Sequence, residues 1–192
     1  MSLNLPVILG TVRRDRIGIR VARFAVAALE KRGHRVTLVD PLEYPLPLLD
    51  RMYKEYPKGQ APDVLERLAT LYRSADGFVV VSGEYNHSIP PALSHLIDHF
   101  LEEYFFRPSA IVCYSAGQFG GVRAAMQLRA LLAEVGMSSI PSILPIPSIG
   151  RAFDEAGHAV DAGFGRRFER FAKEFEWHAA ALREARQQGT PY

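Results

Sequence analysis

The chain has 192 residues, 48% of them hydrophobic and 23% charged, with a net charge of +2 at neutral pH. That balance suits one globular domain over 1–192 with a sizeable core, and with no strongly basic or acidic tail nucleic acid is not expected as a partner. No apolar run is long enough to span a bilayer, the first residues lack the basic and apolar regions of a signal peptide, and the lone Cys113 excludes an intramolecular disulfide, so a cytoplasmic chain with no membrane partner is expected.

The β-branched run Val7 to Leu9, ended by Gly10, reads as a strand buried on both faces. Beyond a polar loop, Ile17, Val21, Phe24, Ala25, Ala28 and Leu29 recur at spacings of three and four, the apolar stripe of a helix packed on a sheet. The loop between them carries Thr11, Arg13, Arg14, Arg16, Ile17 and Gly18 and therefore meets a helix N-terminus. Free backbone N–H groups and the helix dipole favour an anion there, and the hydroxyl and guanidinium groups suit phosphate oxygens. Lys31-Arg32-Gly33 stops the helix, and His34 to Asp40 forms a second strand. Pro41 to Pro62 lacks periodicity and reads as an ordered covering loop, whose length points to a lid or an oligomer contact. A helix over Asp63 to Ser74 and a buried strand over Phe78 to Val81 follow.

A second polar loop, Ser82 to Pro91, then separates that strand from a helix through Ala92, Leu93, Leu96, Ile97 and Phe100. Pro108 leads into a strand over Ala110 to Tyr114, and the glycine-rich loop Ser115 to Gly121 precedes a helix to Val135. A weaker fifth strand is predicted over Met137 to Leu144, broken by Pro141 and followed by Pro145 and Pro147. Phe164, Phe168, Phe171, Ala172, Phe175, Ala179 and Leu182 mark a long helix that closes one face of the sheet, with its phenylalanines in the core. Strands alternating with helices make right-handed crossovers and a parallel α/β sheet, which brings the three loops to one end as a single site.

Other constellations carry less. His95 and His99 stand at the i, i+4 spacing of a metal pair without a third ligand, so no metal is expected and a helix surface or subunit contact is. The serines form no nucleophile elbow, and Cys113 lies mid-strand, where core packing is expected.

Taken together, the three loops resemble the NADPH-dependent FMN reductase family of flavodoxin-like proteins, which includes azoreductases and quinone or chromate reductases. The resemblance runs from Leu5 to about Pro147. The family's Gly-Ser-x-Arg loop is matched by Gly10-Thr11-Val12-Arg13, followed by Arg16, Ile17 and Gly18, and is implied to bind the FMN phosphate. Its Pro-Glu-Tyr-Asn-x-Ser-x-Pro motif is matched by Gly83 to Pro90, which implies that Glu84, Tyr85 and Asn86 lie along the flavin ring and ribityl chain. Gly83 replaces the family proline, leaving the backbone there less fixed, and Ser94-His95 replaces a Lys-Asn pair. Its Ser-x-Gly-x-x-Gly-Gly-x-Arg loop is matched by Ser115 to Arg123, which implies that Ser115, Gly117, Gly120 and Gly121 wrap the pyrimidine edge of the flavin.

The resemblance implies a single flavodoxin-like domain with five parallel strands in the order 2-1-3-4-5. It further implies an oxidoreductase that passes a hydride from NADPH or NADH to FMN and then to a small-molecule acceptor by a ping-pong scheme. No dedicated catalytic residue is implied, Tyr85 being the one candidate proton donor, and a homodimer or homotetramer is expected. The alternative is a non-catalytic flavodoxin-like carrier or flavin-binding module.

Overall fold

The computed structural model describes residues 2–192; Met1, which opens the 1–192 span, lies outside them. Five strands, β1 (Asn4–Leu9), β2 (Arg35–Val39), β3 (Phe78–Gly83), β4 (Arg107–Tyr114) and β5 (Met137–Ile146), pair in parallel in the order β2-β1-β3-β4-β5. Helices α1 (Gly18–Lys31), α2 (Asp63–Arg73), α3 (Pro91–Asp98), α4 (Val122–Glu134) and α5 (Ala162–Gln187) connect and cover them. This is the flavodoxin-like three-layer arrangement.

The period-two alternation of strand side chains divides the apolar residues between two cores. Val7, Leu9, Val79, Val81, Ala110 and Val112 face α1 and α5, where Phe164, Phe168, Phe171 and Phe175 are buried as expected. Ile8, Val80, Ile111 and Cys113 face α2, α3 and α4. Cys113 is fully buried in that second core, and burial pushes its thiol up to about 12, so it stays protonated and packs as a small apolar group.

Two sequence expectations need correcting. Pro141 does not break the fifth strand, which runs unbroken from Met137 to Ile146. β5 is an edge strand hydrogen-bonded only to β4, so a proline can turn its missing donor outward, and the ladder absorbs the irregularity as a register shift between Ser109 and Ile111. His99 is the second case: it is not on a helix surface but 1% exposed, just past the end of α3.

The segment from 41 to 62 explains the burial of His99. Tyr44, Leu46, Tyr53 and Tyr56 pack against the second core, and the Tyr53 amide donates to the His99 carbonyl at 2.7 Å. The Tyr53 hydroxyl donates to Glu66 of α2 at 2.7 Å, so the segment is pinned at both its backbone and a side chain. His99 Nδ1 donates to the His95 carbonyl at 2.7 Å, while its buried Nε2 has no partner.

Burial holds the His99 imidazolium below its ordinary pKa, against the hydrogen bond to the His95 carbonyl. The unfolded chain thus takes up a proton near pH 6.5 that the folded chain refuses until lower pH, so stability is complete above that value and falls on acidification. Urea unfolding at pH 7.5 and 5.5 is expected to show a smaller loss for His99→Gln than for the wild type. Equal losses would contradict this assignment.

Candidate functional site

The carboxyl ends of β1, β3 and β4 bring the three loops together. In the first, Thr11 is 2% exposed and its Oγ1 lies 3.0 Å from the Tyr85 hydroxyl of the second loop. Arg13 and Arg14 are exposed and form no ion pair among the described residues, whereas Arg16 is committed. Its two terminal nitrogens grip both carboxylate oxygens of Asp40, which follows β2, and one of them also donates to the Thr11 carbonyl at 3.1 Å. Arg16 therefore ties the first loop to Asp40 at the end of β2. α1 begins at Gly18 after Ile17, with no side-chain cap and no acidic residue in its first turn.

The second loop is tied to α4. Glu84 accepts from the backbone N–H groups of Arg123 at 3.1 Å and Ala124 at 3.4 Å, and the Arg123 guanidinium lies 3.4 Å from its other oxygen. It caps a helix that starts after Gly121 with no local side-chain cap. The Glu84 carboxylate is thus committed to the start of α4. Tyr85 and Ser88 close a two-residue turn through reciprocal N–H···O bonds of 3.0 and 2.8 Å. Asn86 within it is exposed, and its amide makes no hydrogen bond among the described residues.

In the third loop, Ser115 Oγ donates to the Gly117 carbonyl at 3.0 Å, and that carbonyl also accepts from the Ser148 amide at 2.9 Å. Phe119 is 61% exposed, with the Arg123 guanidinium stacked 4.1 Å over its ring. Gly120 and Gly121 are buried, whereas Gly117 is exposed and a Cβ there would meet nothing within 4 Å. Gly117 is thus the glycine at which a ligand could approach the backbone most freely.

Tyr114, which the sequence reading took only as a strand end, organises this cluster. A Cβ on Gly18 would lie 2.1 Å from its hydroxyl, and one on Gly83 would lie 3.1 Å from its ring. A Cβ on Gly121 would lie 2.7 Å from the Tyr114 backbone N and O. Gly18 and Gly121 therefore leave room for a protein side chain and strand, and Gly83, where the family has proline, faces the same ring across the β3–β4 ladder. Burial raises the Tyr114 phenol, which keeps it a neutral hydrogen-bond donor. The available signal was an aromatic hydroxyl ending an otherwise aliphatic strand directly before a glycine-rich loop.

The arrangement fits a phosphate-bearing aromatic ligand such as FMN. The unpaired Arg13 and Arg14 beside an uncapped helix start suit the phosphate, and the Asn86 amide and the open Gly117 backbone offer polar edge contacts. A separate cavity of about 1190 Å³ lies between α1 and α5, lined by Phe24, Lys31 and Trp177 among others, and none of the three loops contributes to it. The described residues contain no cluster of three or more metal-ligand side chains.

Known proteins resemble this chain in sequence and in fold. The chain is 30% identical to a quinone reductase of Escherichia coli over 139 residues, covering 68% of this chain and 70% of that protein. It is 31% identical to an NADPH azoreductase of a Bacillus species over 80 residues, a match that spans only 45% of that relative's length. Among solved structures, the flavoenzyme NAD(P)H:(acceptor) oxidoreductase from Paracoccus denitrificans shares the fold with a TM-score of 0.73 at 20% identity, covering 92% of this chain and 99% of that one. Residues 3–150, which hold all three loops, match the NADPH-dependent FMN reductase family, and the chain belongs to that family of flavin-dependent oxidoreductases, whose cofactor is FMN and whose hydride donor is NAD(P)H.

Proposed function

We propose that this chain is an FMN-dependent NAD(P)H oxidoreductase acting on a quinone, azo, flavin or metal-oxyanion acceptor, and that it works as a single cytoplasmic domain. No helix of the described residues is long and apolar enough to cross a membrane. The observation that carries the reading is an uncapped helix N-terminus in a loop with unpaired arginines, tied to the second loop by the Thr11–Tyr85 hydrogen bond and accompanied by the open Gly117 backbone of the third. When bound, FMN supplies the redox chemistry, accepting a hydride from NAD(P)H and reducing the acceptor in a second, ping-pong half-reaction.

The protein's own task is positioning. Arg13, Thr11 and the first N–H groups of α1 hold the phosphate, and Arg16 with Asp40 fixes the loop that carries them. Tyr85 and Asn86 border the ring and ribityl chain, with Ser115 and the open Gly117 at its polar edge and Gly120 and Gly121 seating that loop against Pro145 and Tyr114. The Tyr85 hydroxyl is bound to Thr11, which orients the turn and gives Tyr85 a holding role in place of proton donation.

Replacing Arg13 with Ala removes a charge-assisted hydrogen bond to the proposed phosphate without breaking any ion pair among the described residues. FMN affinity, measured by quenching of flavin fluorescence, is expected to fall by about 1.5–3 kcal/mol. Unchanged affinity would place the phosphate elsewhere. We further propose a homodimer or homotetramer in which the exposed Leu42, Leu48 and Leu49 of the 41–62 segment meet a second copy. Light scattering that returned a monomer at micromolar concentration would contradict this assembly.

A further inference from the structure

We infer that Gln127, on the exposed side of α4, is a positioning residue for the flavin slot, acting as a latch on the Tyr85–Ser88 turn. The inference rests on the proposed flavin site and adds a residue to it that no loop motif contains.

The turn has a backbone shape uncommon for residues other than glycine, although Asn and His adopt it more readily than most. Asn86 and His87 both lie in the left-handed region, with φ of 50° and 63°. A two-residue turn of this kind prefers glycine at its second central position, where a Cβ is crowded, and here that position is His87. Reciprocal backbone bonds between Tyr85 and Ser88 close the turn but do not relieve the crowding. Such a conformation persists when the surroundings hold it.

Gln127 holds it from outside with both ends of one amide. Its Nε2 donates to the His87 carbonyl at 2.8 Å, and its Oε1 accepts from the Ser88 hydroxyl at 2.7 Å. Because a carbonyl can only accept, the His87 contact fixes which end of the amide is which. The same helix holds the turn's other flank, since the Arg123 and Ala124 N–H groups bind Glu84, and residues 123, 124 and 127 share one side of α4. Between these two anchors stands Asn86, whose side chain is left free for a ligand. The latch therefore fixes the direction in which the Asn86 amide and the Tyr85 ring are presented.

The test uses Gln127→Met, which keeps the bulk of the side chain and removes both hydrogen bonds, and the double variant with His87→Gly, which relieves the turn of its need for the latch. Amide hydrogen exchange at Ser88 in the apoprotein and FMN affinity by fluorescence quenching are read for each, with thermal midpoints as a check on folding. Gln127→Met is expected to speed exchange at Ser88 and to weaken FMN binding, each by about tenfold. The thermal midpoint changes little, because position 127 is exposed. The double variant recovers most of both losses.

Unchanged exchange or unchanged FMN affinity in Gln127→Met would overturn the inference, as would a double variant as impaired as the single one. A wild type that binds no FMN would sink the flavin reading itself and the positioning role with it, while faster Ser88 exchange in the variant would still identify the latch.

Discussion

Replacing Gly121 with Ala is expected to destabilise the fold by about 3 kcal/mol or more and to abolish FMN binding at micromolar concentration. Gly121 has φ of 82°, in the left-handed region that costs other residues about 1–3 kcal/mol. A new methyl would lie 2.7 Å from both the backbone N and O of Tyr114, atoms of a strand locked between two neighbours. Neither side can yield without moving β4 or the start of α4, and overpacking of this kind adds about 1–3 kcal/mol. Because α4 also anchors Glu84, the displacement reaches the second loop. Gly117→Ala provides the contrast: its Cβ meets open space, so stability should change by less than about 1 kcal/mol. Urea midpoints for the two variants decide the matter, and equal losses would mean that Tyr114 does not set the geometry of the third loop.

Asp40→Ala is expected to cost about 3–5 kcal/mol. The Asp40 side chain is 3% exposed and that of Arg16 only 14%, so removing the carboxylate leaves a guanidinium largely out of water without its partner. Asp40 also accepts from the Leu42 amide at 3.0 Å and so fixes the start of the 41–62 segment. Replacing the pair together, as Arg16→Met with Asp40→Leu, should be less damaging than Asp40→Ala alone, because no buried charge is stranded. FMN affinity should fall in both, since the double variant removes the Arg16 bond to the Thr11 carbonyl and Asp40→Ala releases the guanidinium that makes it. An Asp40→Ala protein as stable as the wild type would mean that Arg16 reaches solvent unaided and does not buttress the loop.

Much of this architecture is readable in the sequence, because the signals are local. Short β-branched runs ended by glycine mark β1 and β3, and the three-and-four spacing of apolar residues marks α1 and α5. The loops between them carry residue types whose chemistry points to phosphate and to an aromatic ligand. What escapes the sequence depends on partners far apart in the chain. Asp40 meets Arg16 only because β2 lies beside β1 in the sheet, and nothing in the spacing of 24 residues announces that pairing. With Arg16 committed to Asp40, Arg13 is the arginine we propose for the phosphate, its side chain forming no ion pair among the described residues. Gln127 looks like any polar residue on an amphipathic helix until the turn it holds is seen forty residues earlier. Pro141 looks like a breaker in the sequence because proline removes a donor, yet an edge strand tolerates it.

The measurement that tests the central claim most directly is the visible absorption spectrum of the protein titrated with FMN and then mixed anaerobically with NADPH and, separately, NADH. Flavin bands are expected to shift on binding and to bleach with at least one of the two nucleotides. Bound flavin that neither nucleotide bleaches would point to a carrier and contradict the oxidoreductase reading, and an unperturbed flavin spectrum would contradict the site itself.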